Sequence, residues 1–387
     1  MTFSSGWSIA AGVLALAVTA ARGTSQPARV AIYVGTYTEG ASRGIYMVEF
    51  DPAAASFSQP RLVAEAVNPT FFAWHPSLPV LFAVSETDTV GPDRSGGLQS
   101  YRVGVDGGLT PLGEVPTGGA GACHLTIAAD GRHAFVANYG AGSVAVFGVG
   151  EDGGVQTASE VLRHAGRGLH ATRQTRAHAH AIEVAPGGRF VLAVDLGADA
   201  VMIYRWDAAA ARLTPHAPAF VKSRPGAGPR HIAFHPNGRL AYVINELDST
   251  LTSYAWDGDA GALTPVATRS TLPAGWAGEN TTAEVAVHPS GRFVYGSNRG
   301  HDSIAVFAAG ADGALSPVGI YPTGGRTPRH FAIGGDGTYL LAANQESDTI
   351  TAFRIDGETG ALSDMGAKVQ VPSPVFVGIR PSANRWP

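Results

Sequence analysis

Hydrophobic and polar positions alternate at period two along most of the chain, in short runs separated by turns. The stretch "HIAFHPNGRLAYVINELDSTLTSY" (231–254) shows the unit. An apolar strand meets a Pro/Asp-x-Gly-Arg type of turn, a second strand ends in a small polar residue, and a third strand follows. Alternation of this kind bounded by Gly and Pro predicts half-buried β-strands rather than helices. The unit recurs at 124–147, 180–204, 283–307 and 330–353, with a more divergent copy at 71–86. A period of roughly 45–55 residues is that of a four-stranded propeller blade.

The two ends of the chain complete the count. "AIYVGTYT" (31–38) matches the second strand of a unit and lacks a first; "PVFVGIRP" (374–381) matches a first strand and lacks the rest. Joined, they make one blade from both termini, and closure removes the two sheet edges of an open array. The prediction is an all-β, seven-bladed β-propeller in one domain over residues 30–381.

Composition agrees. Of 387 residues, 45% are hydrophobic and 15% charged, and the 50 glycines and 25 prolines are spread as turn residues. The net charge of -4 has no basic block behind it, which argues against a nucleic-acid partner. Cys123 is the single cysteine, so no intramolecular disulfide forms. Residues 9–20 are an apolar run too short to span a bilayer comfortably, with small residues near Ala20. They read as a signal peptide over residues 1–20, although no Lys or Arg precedes the run. The mature protein is expected in the periplasm or outside the cell, monomeric and free of membrane.

In each blade the start of the innermost strand and the end of the second lie on one face. The long connections, 85–97, 163–179, 222–228 and 271–282, are on that face too. Long loops in a compact domain point to function. Aligned on the first turn, the innermost strands begin with Thr70, Cys123, His180, Arg230, Ala283, Arg329 and Val375. The position just past the second strand carries Glu86, Tyr139, Leu196, Glu246, Arg299 and Gln345. Ionisable residues that break the repeat, His180, Arg230, Glu246, Arg299 and Arg329, thus share one rim. The repeating residues read as structural. Asn138, Asp195, Asn245, Asn298 and Asn344 cap turns. His124, His231 and His330, one step along the innermost strand, face away from the rim by period two and pack between blades. His235 and His288 belong to far-face turns, as do Arg189, Arg239 and Arg292.

The motifs "HAHAIEV", "GPRHIAFHPNG", "VINEL", "SNRGHDSIAVF" and "TPRHFAI" occur in order. They resemble the seven-bladed lactonase family, which includes propeller-type 6-phosphogluconolactonases and fungal carboxy-muconate cyclases. The resemblance covers about residues 30–381. It implies a catalytic site of His180, Arg230, Glu246 and Arg299, the residues that the register selects independently. Arg329, Gln345 and His178 are expected to bind substrate, with no metal and no cofactor.

A lactone ester needs an activated water, a stabilised oxyanion and a proton for the leaving alkoxide. Glu246 or His180 would supply acid–base help, and the arginines would hold an anionic group and the oxyanion. No Gly-x-Ser-x-Gly elbow is present, so direct water attack on an anionic lactone is expected. Three alternatives stay open: a lactonising cyclase on the same site, a propeller that only binds an anionic ligand, and a calcium-dependent lactonase. A leader peptide sits poorly with a cytoplasmic sugar-phosphate substrate, so the resemblance speaks more for fold and site than for substrate.

Overall fold

The computed structural model describes residues 1–3 and 29–381. Most of the expected leader therefore lies outside the described residues. Among the described residues no helix is long and apolar enough to cross a membrane.

Six four-stranded antiparallel sheets follow one another along the chain, here blades 1 to 6. They span residues 72–116, 122–163, 179–222, 229–270, 281–322 and 328–370. Blade 7 is shared by the termini. Its innermost strand is Pro374–Ile379, which pairs with Val30–Thr36, then Gly44–Asp51 and the short outer strands Ser56–Phe57 and Arg61–Glu65. The innermost strands of successive blades lie side by side around the whole ring.

The strands differ by radius as their patterns require. The second strand of blade 3, Phe190–Asp195, is buried at every position, whereas its outer strand, Arg212–Lys222, is largely exposed. The buried side chains sort into seven hydrophobic clusters, each sandwiched between two neighbouring blades. An open array of seven sheets has six such interfaces, so the seventh cluster, joining Tyr33 and Ile45 to Leu81 and Tyr101, closes the ring. One expected loop is different in the structure. Residues 85–97 are mostly strand, because Val80–Val90 and Ser95–Val103 extend as a hairpin above their blade.

On the far face, histidines of the first turns strut one blade to the next. His75 Nε2 lies 3.0 Å from Gly131 O, His235 Nε2 2.9 Å from Gly291 O, and His288 Nε2 2.9 Å from Gly337 O. Gly291 has φ +76° and a Cβ there would stand 2.5 Å from the His235 ring, so turn geometry and contact both demand glycine. At the other end of the second strands, Asn138, Asn245, Asn298 and Asn344 are buried. Each donates to a hydroxyl at the start of the third strand. Asp195 accepts from the backbone N–H groups of His178 and Ala198 and pairs with His164 at 2.7 Å.

Six of the seven innermost strands, all but that of blade 1, carry a β-bulge at a common register. Cys123, His180, Arg230, Arg329 and Val375 are each the extra residue opposite the second strand, and one extra residue also falls between Thr282 and Val285. A bulge re-aims the side chains around it and breaks the alternation.

Candidate active site

Because of the bulge, Arg230 and His231 both reach the central channel, and period two no longer separates them. The expectation that His124, His231 and His330 pack between blades is corrected accordingly. Their rings meet each other and Phe71 across the axis. His124 and His231 centroids are 5.1 Å apart, Phe71 lies 4.0 Å from His124 and 5.8 Å from both His231 and His330, and His330 stacks on Phe376 at 4.1 Å. These rings plug the channel and form the floor of the site.

Above that floor stands Glu246, buried and ringed by three guanidinium groups. Arg230 Nε and Arg299 Nη2 each lie 3.1 Å from Oε2, and Arg173 Nη2 donates to Oε1 at 2.5 Å. Arg299 also donates to Thr282 O at 2.7 Å and Arg230 to Ala283 O at 2.7 Å. Burial alone would raise the Glu246 pKa. Arg299, Arg230 and Arg173 override it and hold the carboxyl at about 2. Glu246 is therefore a fixed anion and a poor base. Desolvation, partly offset by Glu246, brings Arg299 down to about 10, which leaves it charged at neutrality.

A second cluster faces the first. Arg329 Nη2 donates to Tyr37 Oη at 2.7 Å and lies 3.8 Å from Glu86, to which Tyr37 donates at 3.0 Å. The Arg329 guanidinium also sits over the Tyr37 ring, 5.1 Å from its centroid. Arg173, Arg299, Arg329, Gln345 and His170 line an open funnel of ≈ 800 Å³ over these groups. Four guanidinium groups thus face two carboxylates at the base of the funnel, and Glu279 and Glu346 line its exposed rim.

His180 lies among Tyr139, His231 and Cys123, with ring centroids 5.2 Å from each aromatic neighbour and Nδ1 3.9 Å from Cys123 Sγ. Burial, then Arg230 and His231, push its pKa well below the usual histidine value, so it is neutral. Burial likewise pushes the Cys123 thiol up. The pair is imidazole and thiol, not the thiolate–imidazolium of a cysteine nucleophile. His178 stands behind Tyr139, stacked at 4.6 Å with Nδ1 2.9 Å from Tyr139 O, and Tyr139 Oη accepts from Arg173 at 3.2 Å. Among the described residues no group of three or more His, Cys, Asp or Glu is placed to hold a metal ion.

The structure brings His180, Arg230, Glu246, Arg299, Arg329 and Gln345 to one mouth and sets His178 one layer back. Sequence reasoning missed Arg173, Tyr37 and the roles of Glu86 and Tyr139. Tyr37 follows the second strand of blade 7, so it is the seventh member of the register that holds Glu246 and Arg299. Arg173 comes from the 163–179 connection, where no repeat marks one arginine among several.

The lactonase, 7-bladed beta-propeller family matches residues 31–379. A 6-phosphogluconolactonase of Bacillus subtilis is 36% identical over 348 residues, 89% of this chain and 97% of its own length. A 6-phosphogluconolactonase of Formosa agariphila is 30% identical over 88% of this chain and 96% of its own. The solved structure of a periplasmic gluconolactonase of Pseudomonas aeruginosa superposes with a TM-score of 0.86 at 35% identity, covering 91% of this chain and 99% of that one. With blades, closure and matched length in agreement, the chain belongs to the seven-bladed β-propeller lactonase family.

Proposed function

We propose that the protein hydrolyses an anionic sugar or organic-acid lactone at this funnel by direct attack of water. Lactone hydrolysis follows from the family and its relatives. The preference for an anion is carried by one observation: four guanidinium groups, those of Arg173, Arg230, Arg299 and Arg329, converge at the base of the funnel, where the carboxylates of Glu246 and Glu86 meet them, while Glu279 and Glu346 stand exposed at its rim. Such donors bind a carboxylate or phosphate and stabilise the oxyanion of the tetrahedral intermediate.

The surroundings of three groups support a division of the acid–base work. Glu246 is occupied by three arginines and orients them. Glu86 is engaged by Tyr37 and Arg329. His180 is the one of the three that makes no ion pair among the described residues, so the proton of the attacking water is assigned to it, as a base weakened by burial. The water oxygen bonds to the carbonyl carbon, the ring C–O bond breaks, and His180 returns the proton to the leaving alkoxide. The product is a hydroxy acid whose new carboxylate stays beside the arginines until release. We place the mature enzyme outside the cytoplasm, on the apolar segment before Ala20 and the likeness to a periplasmic gluconolactonase.

The test is proton release with a neutral glucono-lactone and its carboxylate- and phosphate-bearing counterparts. A lower KM for a charged lactone is expected. Equal kcat/KM on the neutral compound overturns the anion preference, and net ring closure of an unsaturated diacid in place of hydrolysis assigns the site to a cyclase.

A further inference from the structure

The reaction as read above uses Arg230 but leaves unexplained what aims it. Arg230 is a bulge residue, fully enclosed, and only Ala283 O and Glu246 have been counted as its partners. A third partner comes from the plug below. Arg230 Nη1 lies 3.1 Å from His231 Nε2. An arginine can only donate, so Nε2 must be the lone-pair nitrogen and the ring proton must sit on Nδ1. Nδ1 lies 3.0 Å from Glu284 Oε2, an acceptor in the right place for that proton.

Glu284 is itself held firmly. Its Oε2 also lies 3.3 Å from His330 Nε2, and its Oε1 accepts from Val285 N–H at 3.0 Å. Val377 N–H donates to His330 Nδ1 at 3.3 Å, so His330 also presents its N–H to Glu284. The links Glu284–His231 and His231–Arg230 therefore have one consistent assignment, and Arg230 Nε meets Glu246 as an ion pair at 3.1 Å rather than as an aligned hydrogen bond. Burial and the neighbouring arginines keep His231 neutral, which preserves the lone pair.

We propose that His231 and Glu284 are positioning residues: Glu284 fixes the Nδ1–H tautomer of His231, and the resulting Nε2 lone pair aims the Arg230 guanidinium at the substrate anion. Neither residue touches substrate. The opposite tautomer would set an N–H against an N–H of Arg230 and turn the guanidinium away. The glutamate comes from blade 5, the histidine and arginine from blade 4, so the aim of the arginine depends on how two blades meet at the axis. The inference rests on the funnel reading given above.

The test separates hydrogen bonding from ring packing. His231→Leu removes the acceptor but packs on Phe71 and His124; His231→Gln keeps an acceptor close to the Nε2 position. Binding of an unreactive hydroxy-acid analogue is measured by calorimetry, with steady-state kinetics on the best lactone and thermal melts alongside. His231→Leu should weaken binding and raise KM on the order of tenfold, the loss of one charge-assisted hydrogen bond, while His231→Gln stays within about twofold of the native protein. His235→Leu, at the far-face turn of the same blade and without a bond to Arg230, should bind as the native protein does. Glu284→Gln should weaken binding several-fold. Nitrogen NMR of the labelled native protein should show the Nδ1–H tautomer for His231, a result that does not depend on any variant folding.

Equal binding by the leucine and native proteins, equal loss in the leucine and glutamine variants, or the Nε2–H tautomer in the native spectrum each overturns the assignment. Arg230→Ala serves as reference. If it binds the analogue like the native protein, the funnel reading falls together with this one, whereas a strong effect there and none at His231 overturns the positioning role alone.

Discussion

The innermost strands have two ends, and the two ends obey different rules. At the far face, His75, His235 and His288 repeat one contact with a glycine carbonyl of the next blade. At the funnel face, equivalent positions hold Cys123, His180, Arg230, Ala283, Arg329 and Val375, no two neighbouring blades alike. The far face follows the repeat in blades 1, 4 and 5, where the same histidine contact docks one blade on the next. The funnel face departs from it because one site is assembled from single contributions of several blades. The β-bulge marks the border. In blade 4 it lets two successive side chains, Arg230 and His231, enter the channel, which a regular pleat would forbid.

The sharpest way to break this comparison is to remove the one carboxylate on which three arginines converge. Glu246→Gln keeps the shape but leaves Arg173, Arg230 and Arg299 without their shared anion. Removing one partner of a buried ion pair costs about 3–5 kcal/mol, so chemical denaturation should show a loss of that order. Misaimed oxyanion donors should also lower kcat/KM by about 10²-fold or more. A variant with native stability and rate would mean that the cluster is not the organising centre of the funnel.

Acid should act mainly on the axis, where four lowered histidines cluster, and on the far face through His75, which burial also lowers. The folded-state pKa values of His124, His180 and His231 are depressed well below 6.5, and that of His330 to about 4, chiefly by burial. A depressed histidine binds fewer protons folded than unfolded, so stability falls as pH drops below 6.5. Each such group withdraws about 1.4 kcal/mol per pH unit until its folded pKa is reached. Glu183, raised to about 8 by burial, and Glu284, also raised, run the other way between 4.5 and their folded pKa values. Four histidines outweigh two carboxyls, so denaturation midpoints should fall between pH 6.5 and 4.5. A flat profile there would show that the plug admits protons freely.

A smaller effect is expected at the rim. Arg173 is more than a third exposed on its side chain, unlike the enclosed Arg230 and Arg299. Arg173→Ala gives up a charge-assisted bond that solvent already screens, so KM for an anionic lactone should rise by about 5–10-fold and stability should change little. Steady-state kinetics check this, and a rate loss matching that of Glu246→Gln would move Arg173 from the rim to the centre.

Much of this was legible in the sequence, and the reason is the repeat. Strand alternation and Gly turns mark the blades, and the mismatched ends at 31–38 and 374–381 foretell closure. Residues that break a repeat stand out, which is how His180, Arg230, Glu246 and Arg299 appear before any coordinates. The bulge has no such signature, because an extra residue in a strand looks like any other residue. His231 was assigned to the wrong surface for that reason alone. Arg173 stayed hidden because a connection without repeats offers nothing to align against, and Glu284 because its partners come from other blades.

The mildest prediction is the control at the other end of blade 4. His235 bonds Gly291 O through Nε2 and accepts from Asn237 N–H at 2.9 Å through Nδ1, so its ring is a strut between blades 4 and 5. His235→Ala removes both bonds at a partly exposed turn, where water can replace them. A net loss of about 1 kcal/mol for the strut is expected, seen as a lower denaturation midpoint. Arg230 and Glu246, on the same two innermost strands but at their other end, should keep their geometry, so kcat and KM should stay within about twofold of native, less than one lost hydrogen bond would cost. A kinetic defect larger than the stability loss explains would mean that the turn and the funnel are coupled along the strand. The division between a repeating face for docking and an irregular face for chemistry would then fail.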